Sequence, residues 1–85
     1  MIKEEIYKEI DERWNLFNMN DKETENAYYT VTGLEKDDMS ILELKEYLLS
    51  YLLDIFIDEE DITREEAIEI EKEVIKNQWL LGKKN

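Results

Sequence analysis

Residues 40–57 read SILELKEYLLSYLLDIFI and carry the clearest helical pattern of the chain. Ser40 has a glutamate three residues later, Glu43, which is the capping-box pattern of a helix start. Apolar residues then recur at helical spacing in two adjacent stripes: Ile41, Leu44, Leu48, Leu52 and Ile55 in one, and Leu42, Leu49, Leu53 and Phe56 in the other. An apolar surface this broad is typical of the central helix of a bundle, which its neighbours cover on more than one side.

A second helix is predicted at the start of the chain, over residues 2–17. Its apolar positions are separated by four, four, four and three residues, which places them on one helical face. Most of the remaining positions are charged, so the segment is amphipathic with one buried stripe. The residues of this stripe are Ile2, Ile6, Ile10, Trp14 and Phe17.

Thr63 and Glu66 repeat the capping-box pattern ahead of a third helix, which we expect over residues 64–81. Glutamates fill its first turn and lysines lie near its end, the arrangement that the helix dipole favours. Gly82 then fits the position just past the last turn. The predicted buried stripe consists of Ala67, Ile70, Val74 and Leu81, flanked by Ile68, Ile75 and Trp79.

The segment that precedes Gly33 permits two interpretations. Asn20 or Asp21 can cap a short helix over about residues 21–31, with Gly33 just past its end. The run YYTVT at residues 28–32 instead has high strand propensity. A strand needs a partner, and we find no second strand-like run in the sequence. We therefore favour a short helix or an irregular turn, since a strand would have to lie beside another protein or a second copy of the chain.

Together these segments predict an all-α fold, a small three- to four-helix bundle in which residues 1–85 form one domain. The predicted helices span about residues 2–17, 41–57 and 64–81, with the additional short helix at 21–31.

The residues that the chain lacks narrow its chemistry. It has no His and no Cys, which removes the commonest general base, the thiol nucleophile and the usual zinc ligands. Two glycines cannot form a Gly-rich phosphate loop. We therefore expect no catalytic residues, no metal site and no cofactor. Because 40% of the residues are charged and no signal-peptide core is visible, we also expect no membrane segment and a cytoplasmic location.

Acidic residues could in principle serve calcium binding or carboxylate catalysis. Residues 54–65 have the length of an EF-hand loop, but Phe56 holds its third position and Glu59 replaces the required glycine. Residues 18–29 fail at the sixth and twelfth positions of the same pattern. Paired carboxylates of the glycosidase type need a cleft, for which a bundle of this size has little room. We expect neither chemistry.

The most acidic part of the chain runs from Asp54 to Glu73. It holds ten acidic residues against two basic ones, a charge of −8 within the total of −12. Glu66, Glu69 and Glu73 are spaced three and four apart, so on a helix they line one face at about 5–6 Å from one another. Such a row imitates the phosphates of a nucleic-acid strand and fits the basic groove of a nucleic-acid-binding protein. The candidate partner-binding acids are Asp58, Glu59, Glu60, Asp61, Glu65, Glu66, Glu69 and Glu73.

Aromatic residues offer a second kind of contact. Tyr28 and Tyr29 are adjacent, so at most one of them faces inward, and the other is a candidate interface anchor beside acids. Trp14 and Trp79 lie on predicted core edges, where packing is the usual role. The acids also have a simpler interpretation, because a solvated charged face is ordinary on the outside of a helix.

The overall profile resembles that of the small acidic inhibitors encoded by bacteriophages, including anti-CRISPR and DNA-mimic proteins. The resemblance is one of size, charge and composition across the whole chain. It implies a non-enzymatic protein in the cytoplasm of a bacterial host cell, where it would block a nuclease or another effector by occupying its nucleic-acid groove. Abundant Lys, Glu, Ile and Asn fit an AT-rich bacterial or phage genome. Direct binding of nucleic acid by the chain is not expected, because a net charge of −12 repels phosphate.

An alternative function relies on apolar surface. If the other helices leave part of the broad face of residues 41–56 uncovered, that face would carry the contact of a helical assembly module. Such a module could be a homodimer, an accessory protein or an antitoxin-like partner. The acids would then only keep the chain in solution.

Overall fold

Four α-helices run through residues 3–80, the part of the chain that the computed structural model describes. These residues contain no strand, so the predicted all-α bundle is confirmed. The predicted helix limits at Ile2 and Leu81, together with Gly82, lie outside the described residues. The helices are α1, Lys3–Trp14; α2, Asp21–Thr32; α3, Ile41–Asp58; and α4, Arg64–Val74.

The first and last helices each continue into a non-α segment that periodicity did not predict. Asn15 adopts the left-handed conformation with φ 54°, which ends α1 at Trp14, and a 3-10 helix follows over Leu16–Asn18. Asparagine tolerates this conformation better than most residues, so it is a natural place for the break. At its other end the chain passes from α4 into a π-helical segment, Ile75–Leu80.

Each of the three later helices begins with a complete capping box. The cap side chain accepts the backbone N–H three residues on, and the glutamate at that position accepts the N–H of the cap residue. All six hydrogen bonds measure between 2.8 and 3.1 Å. Two of the boxes were predicted from the sequence and are confirmed. The pairs are Asn20 with Glu23, Ser40 with Glu43 and Thr63 with Glu66.

The ambiguous run at residues 28–32 is helical and belongs to α2. The helix ends at Gly33, which has the left-handed φ of 72° and donates its N–H to the Tyr29 carbonyl at 2.7 Å. Glycine adopts this conformation at no steric cost, which explains why the helix ends there. Thr24 is fully buried in α2 and donates its hydroxyl to the Asn20 carbonyl at 2.8 Å, so its polar atom is paired.

The end of α3 is a Schellman motif, the hydrogen-bonded cap that usually carries glycine. Asp61 donates its N–H to the Phe56 carbonyl at 2.9 Å, and Glu60 donates to the Ile57 carbonyl at 3.0 Å. Glu60 occupies the left-handed position of the motif with φ 62°. Ile62 is buried directly after it, so the turn between α3 and α4 is fixed to the core.

The core is built around α3, as its two apolar stripes predicted. Leu16 and Ile62 also lie in the core although they belong to no predicted stripe, because the turns on either side of them bring them inward. Ile68 was predicted to flank the buried stripe of α4 and is 51% exposed. The buried residues of α1, α3 and α4 are Ile6, Ile10, Leu44, Leu48, Leu49, Leu52, Leu53, Phe56, Ala67, Ile70 and Val74.

Candidate functional site

The turn between α3 and α4 holds its carboxylates outward on ordered backbone. Asp58, Glu59 and Glu60 are exposed, whereas Asp61 is half-buried. The Schellman hydrogen bonds and the buried Ile62 fix the path of the chain here. These acids therefore project from a defined surface and not from a loose loop.

The first two turns of α4 continue this surface. Its buried stripe faces the core, which leaves Glu65, Glu66 and Glu69 exposed. The Glu66 carboxylate accepts the backbone N–H of Thr63 at 2.8 Å, and this hydrogen bond lowers the pKa of Glu66. Glu66 is therefore held ionised and in a fixed orientation. We call the exposed set the acidic surface: Asp58, Glu59, Glu60, Glu65, Glu66 and Glu69.

Glu73 has a different environment from the other predicted acids. Its two carboxylate oxygens accept hydrogen bonds from Lys3 Nζ at 2.8 Å and from the Tyr7 hydroxyl at 2.7 Å. The bond from Lys3, followed by that from Tyr7, lowers the pKa of Glu73. Burial first, and then this bond to Glu73, raises the pKa of Tyr7. Glu73 thus joins α4 to α1, and the acidic row predicted to run on to Glu73 is partly neutralised at that end.

Basic residues also limit the acidic surface along α4. Arg64 is exposed at the start of α4, Lys72 in its last turn, and Lys76 in the π-helical segment that follows. Lys3 feels the charge of Glu69 as well as that of Glu73, so cations from two helices border the row. Negative charge is consequently concentrated in the α3–α4 turn and the beginning of α4.

The two adjacent tyrosines of α2 separate as the sequence required. Tyr28 is 7% exposed and packs edge-to-face against Tyr47, with ring centroids 5.3 Å apart, whereas Tyr29 is 53% exposed. Tyr29 is therefore the member of the pair that a partner could contact, and Tyr28 serves the interior. Trp14 is half-buried against the core, and the side chain of Trp79 lies outside what the structure describes.

A further group of acids joins Glu46, which the sequence did not single out, to members of the acidic segment from Asp54 to Glu73. Glu71 on α4 is half-buried near Glu46 and Asp54 of α3, and its pKa is raised first by burial and then by these two carboxylates. Glu46, Asp54 and Asp58 lie on one side of α3 at multiples of four residues, a spacing that could have revealed Glu46. This band extends the acidic surface from the turn along α3.

The described residues do not combine these acids into a metal centre. Across residues 3–80 no group of three or more acidic side chains is arranged so that it could hold a metal ion. The helices within the same range are also too short or too polar to cross a membrane. What remains is a charged surface on a rigid frame.

Comparison of the chain with protein-family models, with curated proteins and with solved structures finds no significant match in any of the three.

Proposed function

We propose that this chain is a non-enzymatic binding protein that occupies the basic nucleic-acid groove of another protein. The observation that carries the proposal is the acidic surface, six exposed carboxylates within residues 58–69 with Arg64 as the exposed cation among them. Bringing so many like charges together is unfavourable in the free protein, and a cationic partner relieves that repulsion.

The spacing of the acids supports a groove as the target. Neighbouring carboxylates on a helix face lie about 5–6 Å apart. Glu66 and Glu69 provide this spacing on α4, and Asp54 and Asp58 provide it on α3. A groove lined by Lys and Arg for a phosphate backbone would accept such a series, and association would be steered by charge.

The rigidity of the surface favours specific binding over diffuse attraction. Glu66 is fixed by its capping box, and the turn before it is fixed by the Schellman motif. Glu60 takes the left-handed position, where glycine would be less strained. A preorganised surface loses less entropy on binding than a flexible one.

The class of partner follows from the composition and from the resemblance to phage inhibitors. We place the protein in the cytoplasm of a bacterial host cell, where it would act as an inhibitor of the anti-CRISPR or DNA-mimic type. It would bind an effector or nuclease and exclude guide, target or DNA by steric and electrostatic competition. No chemical step is required of its own residues.

A second candidate function is self-association or assembly through α3. The apolar face on which this idea first rested is largely in the core, since Leu48, Leu49 and Leu52 are buried. Tyr47 and Tyr51 remain 43% and 40% exposed on successive turns of the helix and would have to provide the contact. Their replacement by Gln should abolish assembly and leave the acidic surface intact.

Affinity capture with matched variants separates the two functions. Tagged protein is used to capture partners from bacterial lysate at about 0.1 M salt, eluted in salt steps and read by mass spectrometry. The test variant neutralises four acids of the acidic surface, E59Q, E60Q, E65Q and E69Q. The control removes the same charge elsewhere, through E5Q, E12Q, D21N and D38N, all at exposed positions.

The proposal predicts a nucleic-acid-binding protein that elutes at moderate salt and is displaced by added DNA or RNA. Capture of this protein should fall about tenfold or more with the test variant and change little with the control. Equal losses in both variants would mean that total charge, and not this surface, attracts the partner. A partner that resists salt and is lost with Y47Q and Y51Q would support the assembly function instead.

A further inference from the structure

An apolar pocket lies where α2, the end of α1 and the 3-10 helix after it meet the central helix α3. It has a volume of about 170 Å³. Its walls include Trp14, Leu16, Ala27, Val31, Leu48 and Tyr51. Cavities of comparable size with carbon-lined walls bind a single benzene-sized group. The pocket is too small for a typical cofactor and suits one bulky apolar side chain.

A shallow acidic hollow adjoins the pocket on the surface of α2. It is lined by Glu25, Asn26, Tyr29 and Glu35, and Thr30 borders both the hollow and the pocket. Tyr29 is 53% exposed, so an aromatic surface lies beside the two carboxylates. Tyrosine next to carboxylates suits a cationic side chain, which gains from the ring face as well as from charge.

The charged residues near the pocket and the hollow favour a cationic side chain from a binding partner. Arg13 lies over the ring of Trp14, a residue of the pocket wall, with its guanidinium carbon 5.8 Å from the ring centroid. Its charge is paired with Glu9 at 3.7 Å. The charged residues that line the hollow are both acidic, Glu25 and Glu35, within a chain of net charge −12.

We propose that this pair of depressions is a docking site for a protein segment in which a bulky apolar residue is followed by Lys or Arg. The apolar side chain fills the pocket between α2 and α3, and the cation crosses Thr30 to reach Glu25 and Glu35. The site shares no residue with the acidic surface at the α3–α4 turn, so it does not depend on the function proposed for that surface.

Capped dipeptides provide a direct probe. N-acetyl-Phe-Arg-amide, N-acetyl-Phe-Glu-amide and N-acetyl-Gly-Arg-amide are titrated into the isotopically labelled full chain and followed by NMR. The Phe-Arg peptide should bind with a millimolar dissociation constant and shift the Trp14 indole and the Ala27 and Val31 methyl signals. The Phe-Glu peptide should bind at least about threefold more weakly at low salt, and the difference should vanish near 0.5 M salt. The Gly-Arg peptide should leave the pocket signals unchanged.

Variants assign the two parts of the site. A27L fills the pocket and should weaken the affinity for both Phe peptides at least about tenfold. If A27L changes the circular dichroism spectrum, T30L, which narrows the mouth of the pocket, serves as the second variant. E25Q combined with E35Q should erase the preference for Arg over Glu while retaining Phe binding. The control E5Q combined with E12Q removes equal charge from α1 and should retain the preference.

Equal binding of the Phe-Arg and Gly-Arg peptides would overturn the proposal, because charge alone would then account for the contact. The absence of shifts at about 10 mM peptide, or shifts confined to the acidic surface, would overturn it as well. None of these results bears on salt-sensitive capture through the acidic surface, so the two proposals fail separately.

Discussion

At the scale of single residues, Glu60 shows how this surface departs from the most stable choice. It holds the left-handed position of the Schellman motif with φ 62°, where a side chain is strained and glycine is preferred. The carboxylate at this position belongs to the acidic surface. A stability cost at the centre of a proposed binding surface is the pattern expected when the side chain serves binding.

Glu60→Gly should therefore raise the free energy of unfolding by about 0.5–1 kcal/mol. Glu59→Gly is the matched control, because φ is −82° there and glycine adds only disorder to the unfolded chain. It should lower stability by a similar amount. Urea unfolding of both variants measures the two effects. A loss of stability in Glu60→Gly would show that the left-handed position is not strained.

Glu71 provides a second residue-scale prediction, with a defined pH dependence. Its pKa lies above the ordinary 4.5, because of burial and then of Glu46 and Asp54, so the folded state binds its proton more tightly than the unfolded state. The free energy of unfolding therefore falls as pH rises through the unfolded-state and then the folded-state pKa of Glu71. The full penalty is present at neutral pH.

Glu71→Gln should stabilise the protein by about 0.3 kcal/mol at about pH 7, a small effect because the half-buried side chain keeps part of its contact with water. The gain should disappear below about pH 4, where the carboxyl is protonated in both states. Glu12→Gln removes the same charge from an exposed site on α1 and corrects for general repulsion. Urea unfolding at both pH values gives the comparison. An equal gain in the two variants would contradict a local origin.

At the scale of helices, the contact between α1 and α4 depends on one polar cluster in addition to the core. Ile6 and Ile10 anchor α1 in the interior, while Lys3 and Tyr7 both bond Glu73 at its edge. The pKa of Glu73 is lowered, so its contribution to the stability of the fold is present above about pH 4.5 and is lost as pH falls through the lowered pKa. The pKa values of Lys3 and Tyr7 are raised, so the stability that these two residues contribute is present below about pH 10 and is lost at higher pH.

Tyr7→Phe removes the hydroxyl bond of this cluster and should loosen α1. We expect a loss of about 0.5–1 kcal/mol in the local stability of the helix. Native-state hydrogen exchange should then be about two- to fivefold faster at the α1 amides. Tyr51→Phe removes an exposed hydroxyl from α3 and should leave these amides unchanged. If exchange became faster in α4 but stayed unchanged in α1, the result would contradict a role of Tyr7 at the α1–α4 contact.

Local signals in the sequence predicted the helices because the forces behind them act over a few residues. The capping boxes at Ser40 and Thr63 and the stripe spacing of α3 required no knowledge of the partner helices. The end of α1 at Trp14 and the π-helical segment after Val74 depend on backbone geometry that periodicity does not report. The partners of Glu73, which lie about 70 residues earlier in the chain, depend on tertiary packing.

For the candidate surface, too, the features set by local sequence were predictable and those set by tertiary packing were not. The exposed acids of the turn and of early α4 follow from counting charges in a helix with a known buried stripe. The choice of Tyr29 over Tyr28 required the rotation of α2 against α3, which sequence spacing left open. Glu46 was overlooked because the apolar stripes of α3 dominate its pattern, whereas Asp54 and Asp58 were already part of the predicted acidic segment.

At the scale of the whole molecule, charge opposes compactness. The chain carries 23 acidic and 11 basic residues on only 85 positions, and its radius of gyration is 12.7 Å. Most of these charges therefore lie within one or two Debye lengths of one another at low salt. A domain this small buries only about 60% of its unfolded surface, so self-repulsion is a sizeable fraction of a modest stability.

Salt should accordingly stabilise the folded protein. Raising NaCl from about 20 mM to about 0.5 M should increase the thermal midpoint by about 3–8 °C, the equivalent of about 0.5–1 kcal/mol in a domain of this size. Screening also weakens the Lys3–Glu73 and Arg13–Glu9 pairs, but exposed pairs contribute little, so the repulsion between like charges determines the sign. Circular dichroism melts measure the shift.

The variant that carries E59Q, E60Q, E65Q and E69Q should gain less from salt than the control with E5Q, E12Q, D21N and D38N. Both variants have the same net charge, so a difference between them reports how closely the removed charges were packed in the fold. Equal salt gains would mean that negative charge is evenly distributed over the molecule. In that case the acidic surface would have no electrostatic distinction from the rest of the protein, and a basic partner would have no reason to prefer it.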